Sequence, residues 1–258
     1  MTNQEILKAA MRQSAIDLHC DEGDFLLRKN KVVLSTADPA ARKYLELPFS
    51  CHLASYGNNI VASVQEQYRD IVTRYIEQYP AEHCFETPHM HVLNDALQEE
   101  GLRICFMAEY FLPDINLLKK QECGFELRVL HREDFAELYV DTWSNALCEK
   151  RKNLDILGVG AYDGGKLVGL AGCSADCDGM WQIGVDVLPE YRRQGIAFAV
   201  TGRLALEIIA RDKVPFYCAA WSNIRSVRNA VASGFRPAWV EMTAKPREFV
   251  DEMNRKMF

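Results

Sequence analysis

The chain has 258 residues, of which 48% are hydrophobic and 26% charged, and its net charge of −6 argues against nucleic acid as a partner because phosphate backbones would be repelled. It contains no run of about 18 apolar residues, so no membrane-spanning helix and no membrane partner are expected. Its nine cysteines are scattered without a Cys-x-x-Cys pair, which predicts reduced thiols in a cytoplasmic protein and neither disulfides nor a metal site.

The first half of the chain is predicted to contain helices and short strands without a recognisable chemical motif. Its predicted helices share apolar residues at helical spacing and cover 1–20, 61–79 and 89–100. Residues 25–34 predict a short extended hairpin, and residues 102–112 predict a strand. The polar residues 114–124 indicate a linker. We therefore predict a smaller, helix-rich α/β domain over 1–120.

The second half alternates strands and helices in an order that predicts one mixed sheet. The predicted strands cover 125–130, 157–162, 167–173, 180–188, 216–221 and 237–243. The predicted helices cover 133–149, 197–211 and 224–232. The run Asp163-Gly164-Gly165-Lys166 predicts a hairpin turn because Asp-Gly and Gly-Gly readily supply positive φ. These elements place a second domain at 125–258.

The run from Ile183 to Ala197 carries the clearest chemical signal. A strand leads into a loop of charged residues and glycine, and a long helix leaves it. Free N–H groups of such a loop and of the helix N-terminus form an anion site. Gly195 lets the backbone approach the anion closely, and Arg192 and Arg193 add positive charge. A pyrophosphate fits this description, although neither a Walker A loop nor a Gly-x-Gly-x-x-Gly loop is present.

The same residues resemble the motif of the GNAT (Gcn5-related N-acetyltransferase) superfamily, Arg/Gln-x-x-Gly-x-Gly/Ala, here Arg192-Arg193-Gln194-Gly195-Ile196-Ala197. The preceding Val187-Leu188-Pro189-Glu190-Tyr191 also matches that family. The turn at 163–169 is similar to its β2–β3 hairpin. Asn223, followed by a helix and Ser233-Gly234-Phe235, is similar to its late helix. Because the matches occur in the family's order, the resemblance is specific.

The resemblance implies an α/β (α+β) fold, with a mixed, mostly antiparallel central sheet flanked by helices. It also implies direct transfer of an acetyl group from acetyl-CoA to the amine of a small molecule or peptide. Acetyl-CoA is then a co-substrate, and no metal is implied. Members of the family often dimerise, so a homodimer is one expectation and the oligomeric state is left open.

The resemblance further implies a set of site residues. The pantetheine arm of CoA would contact the backbone of Val185, Asp186 and Val187, where the strand separates from its neighbour. The pyrophosphate would lie on residues 192–197, namely Arg192, Arg193, Gln194, Gly195, Ile196 and Ala197. Asn223 and Ser226 correspond to positions that contact the pantetheine or the adenine side.

The sequence departs from the family at the general acid. A tyrosine is expected five residues before Phe235, where this chain has Ala230. Tyr217 and Ser226 are the substitutes we consider. The expected base is Asp186, the carboxylate nearest the separated strand. The further candidates for the base are Glu190 and Glu241.

The departure at Ala230 leaves two readings open. One is an active acetyltransferase, and the alternative is a catalytically silent CoA-binding sensor or interaction module.

The tryptophans are expected in the core, with Trp181 the best candidate for a cleft wall.

The first half also has two readings, as a substrate-binding domain or as a degenerate copy of the transferase fold. The overall layout is similar to a bacterial subgroup that includes zwittermicin-A-resistance-type acetyltransferases, on the strength of residues 215–223 and the helix that follows. That likeness implies a small amine as acceptor.

Overall fold

The computed structural model describes residues 1–256 and divides the chain into two compact units. The first unit consists of Met1–Ala10 and Tyr110–Pro237. The second consists of Met11–Glu109 and the segment from Ala238 onward. The last two residues of the predicted domain 125–258 lie outside the described residues.

The helices are α1 (Asn3–Leu18), α2 (Arg69–Gln78), α3 (Thr87–Glu99), α4 (Ile196–Ile209), α5 (Ile224–Ala232) and α6 (Arg247–Lys256). The strands are β1 (Lys31–Leu34), β2 (Cys51–Ser55), β3 (Val61–Val64), β4 (Leu102–Pro113), β5 (Glu126–His131), β6 (Asp155–Asp163), β7 (Lys166–Ser174), β8 (Met180–Val187), β9 (Val214–Ala219) and β10 (Phe235–Pro246). None of these helices is long and apolar enough to span a membrane.

The first unit is built on a mixed, mostly antiparallel sheet with the strand order β9-β8-β7-β6-β5. Its pairs are antiparallel except for β8 and β9, which run parallel. Helix α4 packs against β6, β7 and β8 and buries Val200, Leu204 and Ile208 in the core. The predicted hairpin turn at 163–166 is confirmed, with positive φ at Gly164 and Gly165. The predicted fold class is therefore confirmed.

The predicted helix over 133–149 is wrong. The segment contains three short 3-10 turns, at Arg132–Phe135, Asp141–Trp143 and Glu149–Arg151. The N–H groups of Asn145 and Ala146 donate to the Asp186 carboxylate, and that of Cys148 donates to Asp155. Because carboxylates from the sheet take these donors, no continuous helical ladder runs through residues 145–148.

The second unit has a smaller sheet with the strand order β1-β3-β2-β10. Strand β3 pairs parallel to β1 and antiparallel to β2, and β2 pairs antiparallel to β10. Helices α2 and α3 pack together over this part of the chain. Their apolar faces share a core with the strands, and Val72, Ile76 and Leu97 are buried there.

Two predictions for the second unit are wrong. The expected helix over 61–79 begins as strand β3, and helix α2 starts only at Arg69. The residues of β3 are buried and mostly β-branched or small, which suits a central strand. The expected hairpin at 25–34 is a 3-10 turn, Glu22–Leu26, followed by β1, which pairs with β3 instead.

Candidate functional site

The parallel pair β8 and β9 separates along its length. The two strands pair at Met180–Gln182 with Val214–Phe216. Strand β8 continues to Val187 and β9 to Ala219, and the described ladder contains no pairs beyond Gln182 and Phe216. Residues 183–187 therefore present a backbone edge toward an opening between the strands. The predicted contacts Val185, Asp186 and Val187 all lie on this edge.

The two faces of β8 have different surroundings, because successive side chains of a strand point to opposite faces. Ile183, Val185 and Val187 pack with the core that includes α4. On the other face, the Cβ position of Gly184 lies against the backbone of Asn145, and Asp186 bonds to the same residue. The opening is therefore bordered by α4 on one face and by residues near Asn145 on the other.

The loop before α4 has the geometry of an anion site. Arg193 has φ of 64° and Gly195 has φ of 81°, so these two residues adopt the left-handed backbone conformation. Within residues 1–256, the N–H groups of Arg193, Gln194 and Gly195 donate to no protein acceptor. Such a run of free N–H groups at a helix N-terminus binds phosphate groups. Ile196 is 1% exposed, so its contribution is limited to its backbone.

Side-chain contacts hold this loop in place. The Arg192 Nε donates to the Val187 carbonyl at 3.2 Å, which ties the loop to the end of β8. The Tyr191 hydroxyl donates to Asp163 at 3.0 Å and so ties the loop to the hairpin turn. Glu190, a lesser candidate for the base, is exposed and pairs with Lys166 at 3.3 Å. Of the other predicted residues, Arg193 and Gln194 lie in the loop, and Ala197 lies in the first turn of α4.

The predicted residues Tyr217, Asn223 and Ser226 lie together. Asn223 caps the N-terminus of α5 by accepting from the Ser226 N–H at 3.2 Å. The hydroxyls of Tyr217 and Ser226 are 2.8 Å apart. Burial raises the pKa of Tyr217, and the hydrogen bond with Ser226 opposes that rise. The phenol therefore has a proton to give at neutral pH, and the raised pKa makes it a weaker acid than an exposed tyrosine.

Asp186 is held by three hydrogen bonds. Its Oδ2 accepts from the N–H groups of Asn145 and Ala146, both at 2.9 Å, and its Oδ1 accepts from the Asn145 amide at 2.7 Å. The role of Asp186 as a base stays a prediction. The other lesser candidate, Glu241, lies in the second unit, is 4% exposed and is paired there with Arg42 at 2.7 Å.

Sequence reasoning missed Gln182 and Asn145, which lie on the face of β8 opposite α4. The Gln182 amide donates to the Cys218 sulfur at 3.0 Å, across the point where β8 and β9 separate. Because successive side chains of a strand point to opposite faces, the sequence would have placed both of these side chains on that face. The contact with Asn145 has no such local signal. The expectation of a buried Trp221 is wrong, since it is 52% exposed in the turn after β9, while Trp181 is half-buried against the core.

A mixed sheet with one opening parallel pair, beside a loop of free N–H groups at a helix N-terminus, has the architecture of the GNAT proteins. The family model described as GNAT acetyltransferase matches residues 58–238, well over half of the chain. The protein therefore belongs to the GNAT acetyltransferase family. The match begins within the predicted first domain.

Solved structures are similar to parts of the chain. A GNAT-family acetyltransferase from Novosphingobium aromaticivorans is 21% identical, with TM-score 0.42, over 56% of this chain and 66% of its own. A GCN5-related N-acetyltransferase-like protein from Streptococcus suis is 22% identical, with TM-score 0.46, over 62% and 69%. The aminoglycoside N-acetyltransferase AAC(6')-Iy, in complex with CoA, is 15% identical, with TM-score 0.36, over 47% and 93%. The chain thus spans just under two thirds of the length of the first of these structures. These similarities are too distant to assign a substrate.

No curated protein matches the chain. Within the part of the chain that the structure describes, no group of three or more His, Cys, Asp or Glu side chains is arranged to hold a metal ion.

Proposed function

We propose that the protein transfers an acetyl group from acetyl-CoA directly to the amine of a small molecule or peptide. The observation that carries this proposal is the free edge of β8 beside the loop 192–197. The loop supplies N–H donors for the pyrophosphate, and the strand edge supplies donors and acceptors for the pantetheine arm. Family membership supports the same reading, because the model that matches is that of an acetyltransferase.

The proposed reaction begins with attack of the neutral amine on the thioester carbonyl. A carbon–nitrogen bond forms, and the carbonyl oxygen becomes an oxyanion that N–H groups on the free edge of β8 stabilise. The carbon–sulfur bond then breaks, the thiolate takes a proton from an acid, and the nitrogen loses its proton to water or a base. Holding both reactants together contributes much of the rate.

Tyr217 is the proposed acid. It is on β9 beside the opening, and its hydroxyl lies 2.8 Å from that of Ser226. Ser226 would orient the phenol and relay its proton. Ala230, at the position expected for the family tyrosine, is fully buried in the core and offers no proton.

The acceptor is proposed to be a small amine, in keeping with the likeness to zwittermicin-A-resistance-type enzymes. Residues 1–120 are proposed to form a domain that binds this acceptor, with a degenerate transferase copy as the other reading. Residues 125–258 would carry the acetyl transfer. A cytoplasmic location and a homodimer remain part of the proposal.

Calorimetry with acetyl-CoA tests the binding step. Arg193→Glu and Gly195→Trp should abolish binding, because the first reverses a charge at the anion site and the second fills the space the anion needs. The matched control is Arg28→Glu, an exposed charge reversal in the second unit. Wild-type protein that fails to bind millimolar acetyl-CoA would refute the proposal.

A thiol-release assay tests turnover. Polyamines, aminoglycosides, amino acids and peptide N-termini serve as acceptors, and release of CoA is followed with a thiol reagent. Acceptor-dependent release supports the enzyme. Binding of acetyl-CoA without release for any acceptor would instead favour the silent sensor, which the buried Ala230 motivates.

A further inference from the structure

Residues 141–147, which we call the wall segment, lie directly on the face of β7 and β8 opposite α4. A Cβ added to Gly184 would lie 1.8 Å from the Asn145 carbonyl oxygen. A Cβ added to Gly172, which pairs with Gly184, would lie 2.2 Å from the Ala146 carbonyl oxygen. The backbone of the wall segment therefore occupies the space that side chains would take at these two positions.

The wall segment is anchored at three points. Trp143 and Leu147 are buried and pack in a cluster with Leu170 of β7. Between them, Asp186 accepts hydrogen bonds from the Asn145 and Ala146 N–H groups and from the Asn145 side chain. Asp186 is therefore the polar contact that fixes the middle of the segment to β8.

This anchoring lies beside the opening between β8 and β9. Gly184 and Asp186 both belong to the part of β8 that follows its pairing with β9. Asn145 is exposed, so the wall segment borders the opening and remains in reach of solvent. The face on which it lies is opposite α4. The N-terminus of α4 carries residues 192–197, which we call the anion loop. An acceptor that approaches from this face would meet the wall segment first.

We propose that Asp186 is a positioning residue that holds the wall segment as one side of the amine-binding site. This inference rests on the proposed acetyl transfer. The hydrogen bonds argue for positioning over proton abstraction, because Asp186 Oδ2 already accepts two N–H groups and a proton placed there would displace them. The wall segment thereby controls which amines reach the thioester, while acetyl-CoA binds through the loop and the strand edge.

Steady-state kinetics of three variants test the proposal. Asp186→Asn puts an amide donor against backbone donors, Asn145→Ala removes the side-chain bond alone, and Gly184→Ala pushes the Asn145 carbonyl away. Spermidine, kanamycin and lysine are the acceptors, and the one with the highest kcat/KM in the wild type is used. The matched control is Asp178→Asn, the same chemical change at an exposed loop position before β8.

Each variant should raise the KM for the amine by about tenfold or more, since small misplacements of a reactant are costly. The shape of the pH profile should be unchanged, and so should the KM for acetyl-CoA in Asn145→Ala, which alters no residue of β8. If Asp186 were the base, Asp186→Asn would lower kcat by about 10²–10⁴, the amine KM would be unchanged, and Asn145→Ala would behave as wild type. That pattern overturns the proposal, as does an unchanged amine KM in all three variants.

Amide hydrogen exchange supplies a readout that needs no turnover. Asn145 and Ala146 should be protected in the wild type and should exchange faster in Asp186→Asn. Wild-type protein without turnover on any amine would refute the proposed function, and the exchange result would still decide whether Asp186 holds the wall segment. Equal exchange in the wild type and Asp186→Asn would overturn the positioning role even in an active enzyme.

Discussion

Acidification should destabilise the protein through a buried histidine of the second unit. His52 is 1% exposed, and its ring stacks on Phe49 with the centroids 4.3 Å apart. Its Nε2 lies 3.5 Å from a carboxylate oxygen of Glu241. Burial lowers the pKa of His52 from 6.5 to about 4, Glu241 opposes this shift, and Arg42 adds to it. The folded protein therefore holds the ring neutral.

The size of the effect follows from the difference between the two states. In the unfolded chain the ring binds a proton near its ordinary pKa of 6.5, whereas the folded chain resists protonation until about 4. Each unit of difference corresponds to about 1.4 kcal/mol, so His52 should remove about 3 kcal/mol of unfolding free energy as the pH falls through this window. Above pH 6.5 the ring is neutral in both the folded and the unfolded chain, so none of this unfolding free energy is lost.

Urea unfolding followed by circular dichroism across this pH window measures the effect. His52→Gln should lose about 3 kcal/mol less stability on acidification than the wild type, because its amide does not titrate there. His91→Gln makes the same change at an exposed position of α3 and should follow the wild type. If the wild type and His52→Gln lose equal stability over the window, the buried neutral histidine is not what drives the acid sensitivity.

Three further outcomes follow from the contacts. Arg42→Met leaves the buried Asp17 and Glu241 carboxylates without their cation and should cost about 3–5 kcal/mol in urea unfolding, a deficit that shrinks at low pH. Gly169→Ala places a Cβ 2.4 Å from a side-chain carbon of the first residue of α4, so it should shift the anion loop and weaken acetyl-CoA binding in calorimetry. Tyr217→Phe should lower kcat by about 10²–10⁴ at unchanged acetyl-CoA affinity if the phenol is the acid, and an unchanged kcat would exclude that role.

The parts of the structure that the sequence predicts well are those with local causes. The turn at 163–166 and the loop before α4 both need positive φ, and glycines at those positions signal it. Short apolar runs bounded by turn residues predict the strands of the first unit. The separation of β8 from its neighbour and the mostly antiparallel order of the sheet, in contrast, follow only from the resemblance to the GNAT superfamily.

The parts that the sequence does not predict depend on distant partners. The segment 133–149 has helical composition, yet its N–H groups bond to carboxylates on β6 and β8, and Asp186 is about 40 residues away in the chain. Strand β3 has an apolar pattern that suits a helix, and its pairing with β1 and β2 decides the outcome. No periodicity within either segment contains this information.

The alternation of β8 explains how one strand can serve two requirements. Its odd-numbered residues, Ile183, Val185 and Val187, pack toward the core that contains α4, whose N-terminus presents the anion loop. Its even-numbered residues, Gly184 and Asp186, hold the wall segment. Side-chain changes on the second face would therefore alter the amine that is accepted, because acetyl-CoA is proposed to bind to the backbone of β8 and to the anion loop. The acceptor should accordingly be sought through the wall segment, since the anion loop is proposed to bind the acetyl donor.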